Sequence, residues 1–181
     1  MKILLHICCA NCAIYPLERL SEKGEVMGFF FNPNIHPFQE YKKRLEALKV
    51  YSEQTRLSLI CRDEYLLEEF LKNVSQWPEE RCGYCYRVRL EATAKEAKKS
   101  SFDAFSTTLL QSTHQNHALI REMGETISME VGIPFHYEDF RPGWKRGVEV
   151  SKAMGLYRQQ YCGCIYSEKE RFAGKARSSN Q

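Results

Sequence analysis

An α/β domain built on a mostly parallel sheet, with helices on both faces, is predicted by two features of this 181-residue sequence. Short apolar or aromatic segments alternate with longer stretches whose apolar residues recur at helical spacing. Seven of the eight cysteines fall in three tight groups, placed where strands would end and helices begin. The strand-like segments are Lys2 to Ile7, Val26 to Phe31, Leu57 to Cys61, Phe102 to Thr107 and Pro134 to Tyr137. Between them, Tyr41 to Arg56 carries Tyr41, Leu45, Leu48 and Tyr51 on one side. Ala118 to Val131 does the same with Leu119, Ile120, Met123, Ile127 and Val131. A third helix is expected through Arg87, Leu90, Ala94 and Ala97, and a last one after Cys164.

The cysteine groups are Cys8-Cys9-x-x-Cys12, Cys82-x-x-Cys85 and Cys162-x-Cys164, with Cys61 alone. Cys8, Cys9 and Cys12 follow the first strand and precede Pro16, a residue favoured in the first turn of a helix, so a strand-to-helix loop is expected there. Cys82 and Cys85 open a helix after Trp77-Pro78, and Gly163 lets the backbone turn between Cys162 and Cys164. Helix N-termini favour thiolate over thiol, and the carboxyl edge of a parallel sheet is where ligands bind. One tetrahedral site or one iron–sulfur cube consumes four thiolates, so seven are too many for one centre and one short of two. A carboxylate, histidine, water or substrate completes a second shell, or some thiols are kept for redox chemistry.

The length suits one domain, 1–174, with a flexible tail over 175–181. The first residues run straight into a cysteine group, without the regions of a signal peptide, and no run is long enough to span a membrane. A cytoplasmic protein is expected, with metal-binding or redox-active rather than disulfide-bonded cysteines. The formal charge of +3 says little about a nucleic-acid partner, so only local basic groups bear on it.

Five segments together, Cys8-Cys9-Ala10-Asn11-Cys12, Asn32-Pro33-Asn34-Ile35-His36-Pro37, Arg81-Cys82-Gly83-Tyr84-Cys85-Tyr86-Arg87, Ser106-Thr107-Thr108-Leu109 and Tyr161-Cys162-Gly163-Cys164, closely resemble the cobalamin-independent epoxyqueuosine reductases of the QueH type. The resemblance runs from Lys2 to about Arg171. It implies a Rossmann-like, nucleotide-hydrolase-like layout with the metal site at the carboxyl edge. The usual phosphate loop after the first strand is replaced by the cysteine loop, so ATP binding is not carried over. The implied reaction is reduction of epoxyqueuosine to queuosine at the tRNA wobble position. The implied cofactors are a [4Fe–4S] cluster and an additional mononuclear iron, and the implied partners are the tRNA anticodon loop and an external electron donor.

All seven grouped cysteines are expected to bind metal, with Asp139 as an extra ligand or, alternatively, as the cap of its own turn. Spacing does not assign thiols to metals. The expected split gives the cube Cys82, Cys85, Cys9 and Cys162 and leaves the other thiols to the lone iron. His114 and Tyr15 are the expected proton-handling residues beside Asp139, and His36 is a further candidate. His6 is expected in the core, as is Cys61. Thr107, Thr108 and Gln115 either meet the base or cap the next helix. Basic groups at Lys42-Lys43-Arg44, Arg81 with Arg87 and Arg89, Arg141 with Lys145 and Arg146, and Lys169 with Arg171, Lys175 and Arg177 offer contacts to phosphates. Phe38, Trp77 and Trp144 offer stacking surfaces. The rival reading is a zinc-binding nucleic-acid module held by Cys82, Cys85, Cys162 and Cys164, which leaves the first three cysteines unexplained. A thiol–disulfide oxidoreductase, a third reading, leaves even more thiols without a role.

Overall fold

The computed structural model describes residues 1–176, with side chains over 1–173. Four short strands, β1 (Lys2–His6), β2 (Glu25–Phe30), β3 (Leu59–Cys61) and β4 (Ala104–Thr107), form an all-parallel sheet in the order β3-β2-β1-β4. In register, Leu4 lies beside Met27 on one side and Phe105 on the other, and His6 lies beside Phe29 and Thr107. The central strands are buried and apolar, as strands covered on both faces must be. The expected fifth strand is reduced to a single parallel bridge between Phe105 and Phe135, made by Phe105 N–H to Pro134 O and His136 N–H to Phe105 O. Pro134 has no N–H to extend the ladder.

Around the sheet run α1 (Ala10–Ser21), α2 (Phe38–Thr55), α3 (Leu67–Val74), α4 (Arg81–Lys99), α5 (His117–Val131), α6 (Trp144–Ala153) and α7 (Ile165–Ala176). Right-handed crossovers place α1 and α2 on one face and α4 and α5 on the other. The packing agrees, with α1 against α2 and α6, and α4 against α5, β1 and β4. One core fills both layers, built from Ile3, Leu5, Phe29, Phe30, Tyr41, Leu48, Leu90, Phe105, Ile120 and their neighbours. A smaller satellite of Phe70, Val74, Cys85 and Cys164 ties α3, α4 and α7 together, with Tyr84 and Tyr166 against it.

Three expectations need correction. Pro16 sits in the middle of α1, not in its first turn, because the helix begins at Ala10 directly after the thiols. Having no N–H, Pro16 leaves the carbonyl of Cys12, four residues back, without its ordinary helix bond. Cys61 is exposed rather than buried, since β3 is the edge strand. Helix α7 runs through Ala176, so Lys175 and Ala176 are helical, while the rest of the expected tail lies outside the described residues. No described helix is long and apolar enough to cross a membrane.

Candidate metal centre

The chain leaves β1 toward β2 on one side and reaches β4 on the other, so the crevice between the ends of β1 and β4 is the topological switch point of the sheet. In open α/β sheets that crevice is where ligands bind. Cys8 follows β1 there, and its N–H donates to the Thr108 hydroxyl oxygen at 3.2 Å, just beyond β4. Cys9 caps the start of α1 in extended conformation, and Cys12 lies in the first turn. The three sulfur atoms lie within 4.8 Å of one another. They share a proton inventory. The S–H groups of Cys12 and Cys9, joined by the Thr108 hydroxyl, hold the Cys8 thiol well below its usual pKa against the opposing effect of burial. Burial pushes the Cys9 thiol up, and the bonds to Cys8 and Cys9 push Cys12 up. Three thiols this close are a group that could hold a metal ion.

The other four thiols lie at the starts of two helices and are not drawn together as closely as the trio. Cys82 and Cys85 lie in the first turns of α4, and Cys162 and Cys164 immediately precede α7. Burial raises the Cys82 thiol and lifts Cys85 to about 12, and in both cases Cys162 and Cys164 add electrostatic repulsion. Cys164 Sγ accepts the N–H of Ser167 at 3.4 Å, so sulfur takes the place of the usual oxygen cap at the start of α7. The loop is narrow at Gly163, whose φ is +157° and where a Cβ would approach Asn34 Nδ2 to 3.0 Å.

Side chains from distant parts of the chain fix both groups. Gln159 Nε2 donates to Cys9 Sγ at 2.9 Å and Cys12 Sγ at 3.4 Å. Gln115 Nε2 donates to Cys162 Sγ at 3.1 Å, its amide turned that way by the Tyr86 hydroxyl, which donates to Gln115 Oε1 at 2.6 Å. The Arg44 guanidinium donates to the carbonyls of Cys162 (2.8 Å) and Tyr161 (3.0 Å) and is paired with Glu40 at 2.7 Å. Arg89 Nη2 donates to Cys85 Sγ at 2.9 Å. A cavity of about 440 Å³ opens on Cys8, Cys12 and Cys162, and its wall also includes Arg89, Thr108, His114, Gln115, Trp144, Arg158 and Arg171. A larger cavity, about 600 Å³, borders Cys82, Trp77 and His114. The smaller one is lined by thiols of both groups, Cys8 and Cys12 from the first and Cys162 from the second.

Several expected residues stand elsewhere. Cys9, expected with Cys82, Cys85 and Cys162, has its sulfur within 4.8 Å of those of Cys8 and Cys12. Asp139 is held by Arg141, both through the Arg141 backbone N–H at 3.0 Å and through the guanidinium, and that partner lowers its carboxyl to about 2. No carboxylate joins the close sulfur group among the described residues. The Tyr15 ring packs on Gly143, where a Cβ would overlap it at 1.9 Å. His114 is exposed at the boundary of the two cavities. His36 is buried between Tyr65 and Phe70, and His6 lies in the core against Thr107 and Asn32. Thr107 caps the turn that follows β4, while Thr108 faces Cys8.

The expected basic groups are mostly engaged. Arg44 and Arg89 are each 1% exposed and turn inward to the thiol loops. Lys42, Arg81, Arg87, Arg141 and Arg146 pair with Asp63, Glu170, Glu130, Asp139 and Glu18. Gln159 carried no sequence signal, because nothing local marks a residue whose partner lies nearly a chain length away.

The fold and site together define a Rossmann-like α/β protein whose switch-point cavity is lined by thiols able to hold metal. The family model described as epoxyqueuosine reductase QueH matches residues 3–170. A relative named epoxyqueuosine reductase QueH from Dehalococcoides mccartyi is 42% identical, covering 98% of this chain and 97% of its own. One of the same name from Thermotoga maritima is 38% identical, covering 93% and 91%. The chain therefore belongs to the epoxyqueuosine reductase QueH family, a family of oxidoreductases. Its fold is also similar to a crystal structure described as a predicted subunit of a tRNA methyltransferase from Methanocaldococcus jannaschii. That match has a TM-score of 0.55 and 14% identity, and covers 84% of this chain and 76% of the other.

Proposed function

We propose that the chain reduces epoxyqueuosine to queuosine at the wobble position of tRNA, in the cytoplasm, using a [4Fe–4S] cluster and a separate iron. The observation that carries this reading is a close trio of thiols, Cys8, Cys9 and Cys12, beside a cavity that Cys162 also lines, in a member of this family. The donor set suits the cofactors. Cys82, Cys85, Cys162 and Cys164 supply the four thiolates a cube requires, and Cys8, Cys9 and Cys12 supply three for the lone iron. This split replaces the expected one, because Cys9 lies with its sequence neighbours.

Removing the epoxide oxygen to leave an alkene takes two electrons and two protons, and the oxygen leaves as water. When bound, the cluster would deliver electrons and the iron would act as a Lewis acid toward that oxygen. The chain's own residues hold the sulfur atoms and shape the cavity. Gln159 and Gln115 orient Cys9 and Cys162, and Thr108 orients Cys8. His114, at the cavity wall, is placed to bring in a proton, a role for which Asp139 and Tyr15 are poorly placed. Trp144 is 43% exposed at the same wall, where a ring can stack on a base. Arg158 and Arg171 beside it suit the phosphates of an RNA loop.

Anaerobically purified protein is expected to carry about five irons and four sulfides per chain. Once reduced, it is expected to remove one oxygen mass from the modified nucleoside of epoxyqueuosine-containing tRNA, read by nucleoside mass spectrometry. Zinc without sulfide would remove the cofactor reading. An iron protein that leaves the nucleoside unchanged would remove the substrate.

A further inference from the structure

Two arginines are buried beside the thiols, and they differ in one respect. Arg44 has a carboxylate partner, Glu40, at 2.7 Å with both side chains buried. Arg89 has none among the described residues. Its Nε donates to the Cys85 carbonyl at 2.8 Å and its Nη2 to Cys85 Sγ at 2.9 Å. It is 1% exposed and lines the cavity together with Cys8, Cys12 and Cys162. A guanidinium does not give up its proton, so its charge is buried whatever surrounds it. A buried charge without an opposite partner is costly.

The carbonyl bond does not explain the residue. Within α4 the Cys85 carbonyl already faces the backbone N–H of Arg89, one turn on. The sulfur bond is the informative one. Its acceptor is a sulfur of the proposed centre, 2.9 Å away. Coordinating thiols bind metal as thiolates, so a loaded quartet would set negative charge directly against Arg89.

We infer that Arg89 is the built-in counter-charge of the thiol centre, a positioning residue that favours metal uptake by the quartet and raises the potential at which the bound centre accepts an electron. This rests on the reading that the thiols hold metal. A positive charge beside thiolates stabilises the net-negative loaded site, and it stabilises the reduced state, one electron richer, still more. Hydrogen bonds to cluster sulfurs act in the same direction. In the metal-free chain the same charge is a liability. The inference therefore gives opposite signs for the two states, which a packing role does not.

The experiment compares full-length wild type, Arg89→Met and Arg89→Lys, each stripped of metal and then rebuilt anaerobically with ferrous iron and sulfide. Metal-free Arg89→Met is expected to melt at or above the wild-type temperature. The same variant is expected to bind metal about 10- to 100-fold more weakly. Its remaining centre should titrate at a lower potential by EPR-monitored redox titration, and Arg89→Lys should recover part of both losses. Wild-type loading and potential in Arg89→Met would overturn the inference, as would a metal-free Arg89→Met that is less stable than wild type. A wild-type chain that takes up no iron and sulfide would overturn the parent reading instead, so the two failures are distinguishable.

Discussion

Cys8, Cys9 and Cys12 come from one short stretch at the end of β1, whereas the other four thiols come from the starts of α4 and α7, far apart in sequence. The trio is placed by the sheet itself, through the Cys8 N–H to Thr108 and the parallel register of His6 with Thr107. The quartet depends on tertiary docking. Its Cys162–Cys164 loop is held from outside by Arg44, by the Gly163 carbonyl accepting the His36 N–H at 2.8 Å, and by the Tyr161 hydroxyl donating to the His36 carbonyl. Thiols from one local segment need the pairing of β1 with β4 and the reach of Gln159 to be fixed, but not the docking of one helix on another. A site built from two distant helix starts forms only when the rest of the molecule is in place. The difference separates changes that disturb metal binding alone from changes that disturb the fold and the metal together.

The sharpest way to break that contrast is Arg44→Met. It leaves Glu40 buried without its cation and frees the Cys162 loop, and breaking such a pair costs about 3–5 kcal/mol. Chemical denaturation should show this loss, and reconstitution should show a chain that fails to hold sulfide while the trio still takes up a divalent ion. Equal loss at both groups would erase the distinction.

A smaller effect is expected from His36, which sits beneath the same loop. Burial lowers its imidazole to about 4. The unfolded chain, with an ordinary histidine pKa near 6.5, therefore binds the proton more readily than the folded chain through the window between about 4 and 6.5. Stability is fully present above the unfolded value and is lost as pH falls through that window, by about 2 kcal/mol between about pH 6.5 and pH 5. His36→Gln should flatten the urea-stability slope by one proton there, and an unchanged slope would place the ring in solvent.

The smallest change tests the trio. Thr108→Val removes the hydroxyl that accepts from the Cys8 N–H and faces Cys8 Sγ at 3.4 Å, which should cost about 1 kcal/mol. Iron at the trio should fall while sulfide at the quartet holds, as judged by metal analysis. Loss of sulfide would show that the two groups form as one unit.

Much of this arrangement is readable in the residues before any coordinates. Apolar runs at Lys2 to Ile7 and Val26 to Phe31 and the helical spacing after Tyr41 mark the alternating elements, and cysteines at helix starts point to the carboxyl edge. What spacing does not carry is how the thiols divide. The quartet Cys82, Cys85, Cys162 and Cys164 is the very set the zinc reading grouped, while the preferred split drew Cys9 away from its neighbours. Arg44 and Arg89 read as contacts for phosphates because helical spacing shows which face a residue shares, not what a distant loop brings to it. Gln159 reaches Cys9 across 150 residues, a pairing decided only when the sheet closes the edge. The terminal strand failed for a local reason, since Pro134 cannot donate to a ladder.

The satellite cluster under the quartet has a consequence for the life of the polypeptide. Cys85 and Cys164 are two of its four buried members, beside Phe70 and Val74, and Tyr166 packs on it from α7. A chain not yet loaded keeps α7 in place with that small apolar contact, the Arg44 clamp and the exposed Arg81–Glu170 pair. Segments with so little burial open first and are cut first. If these sulfurs hold metal as proposed, coordination would hold α7 down, so proteolytic turnover in the cell would discriminate finished from unfinished molecules without any dedicated receptor.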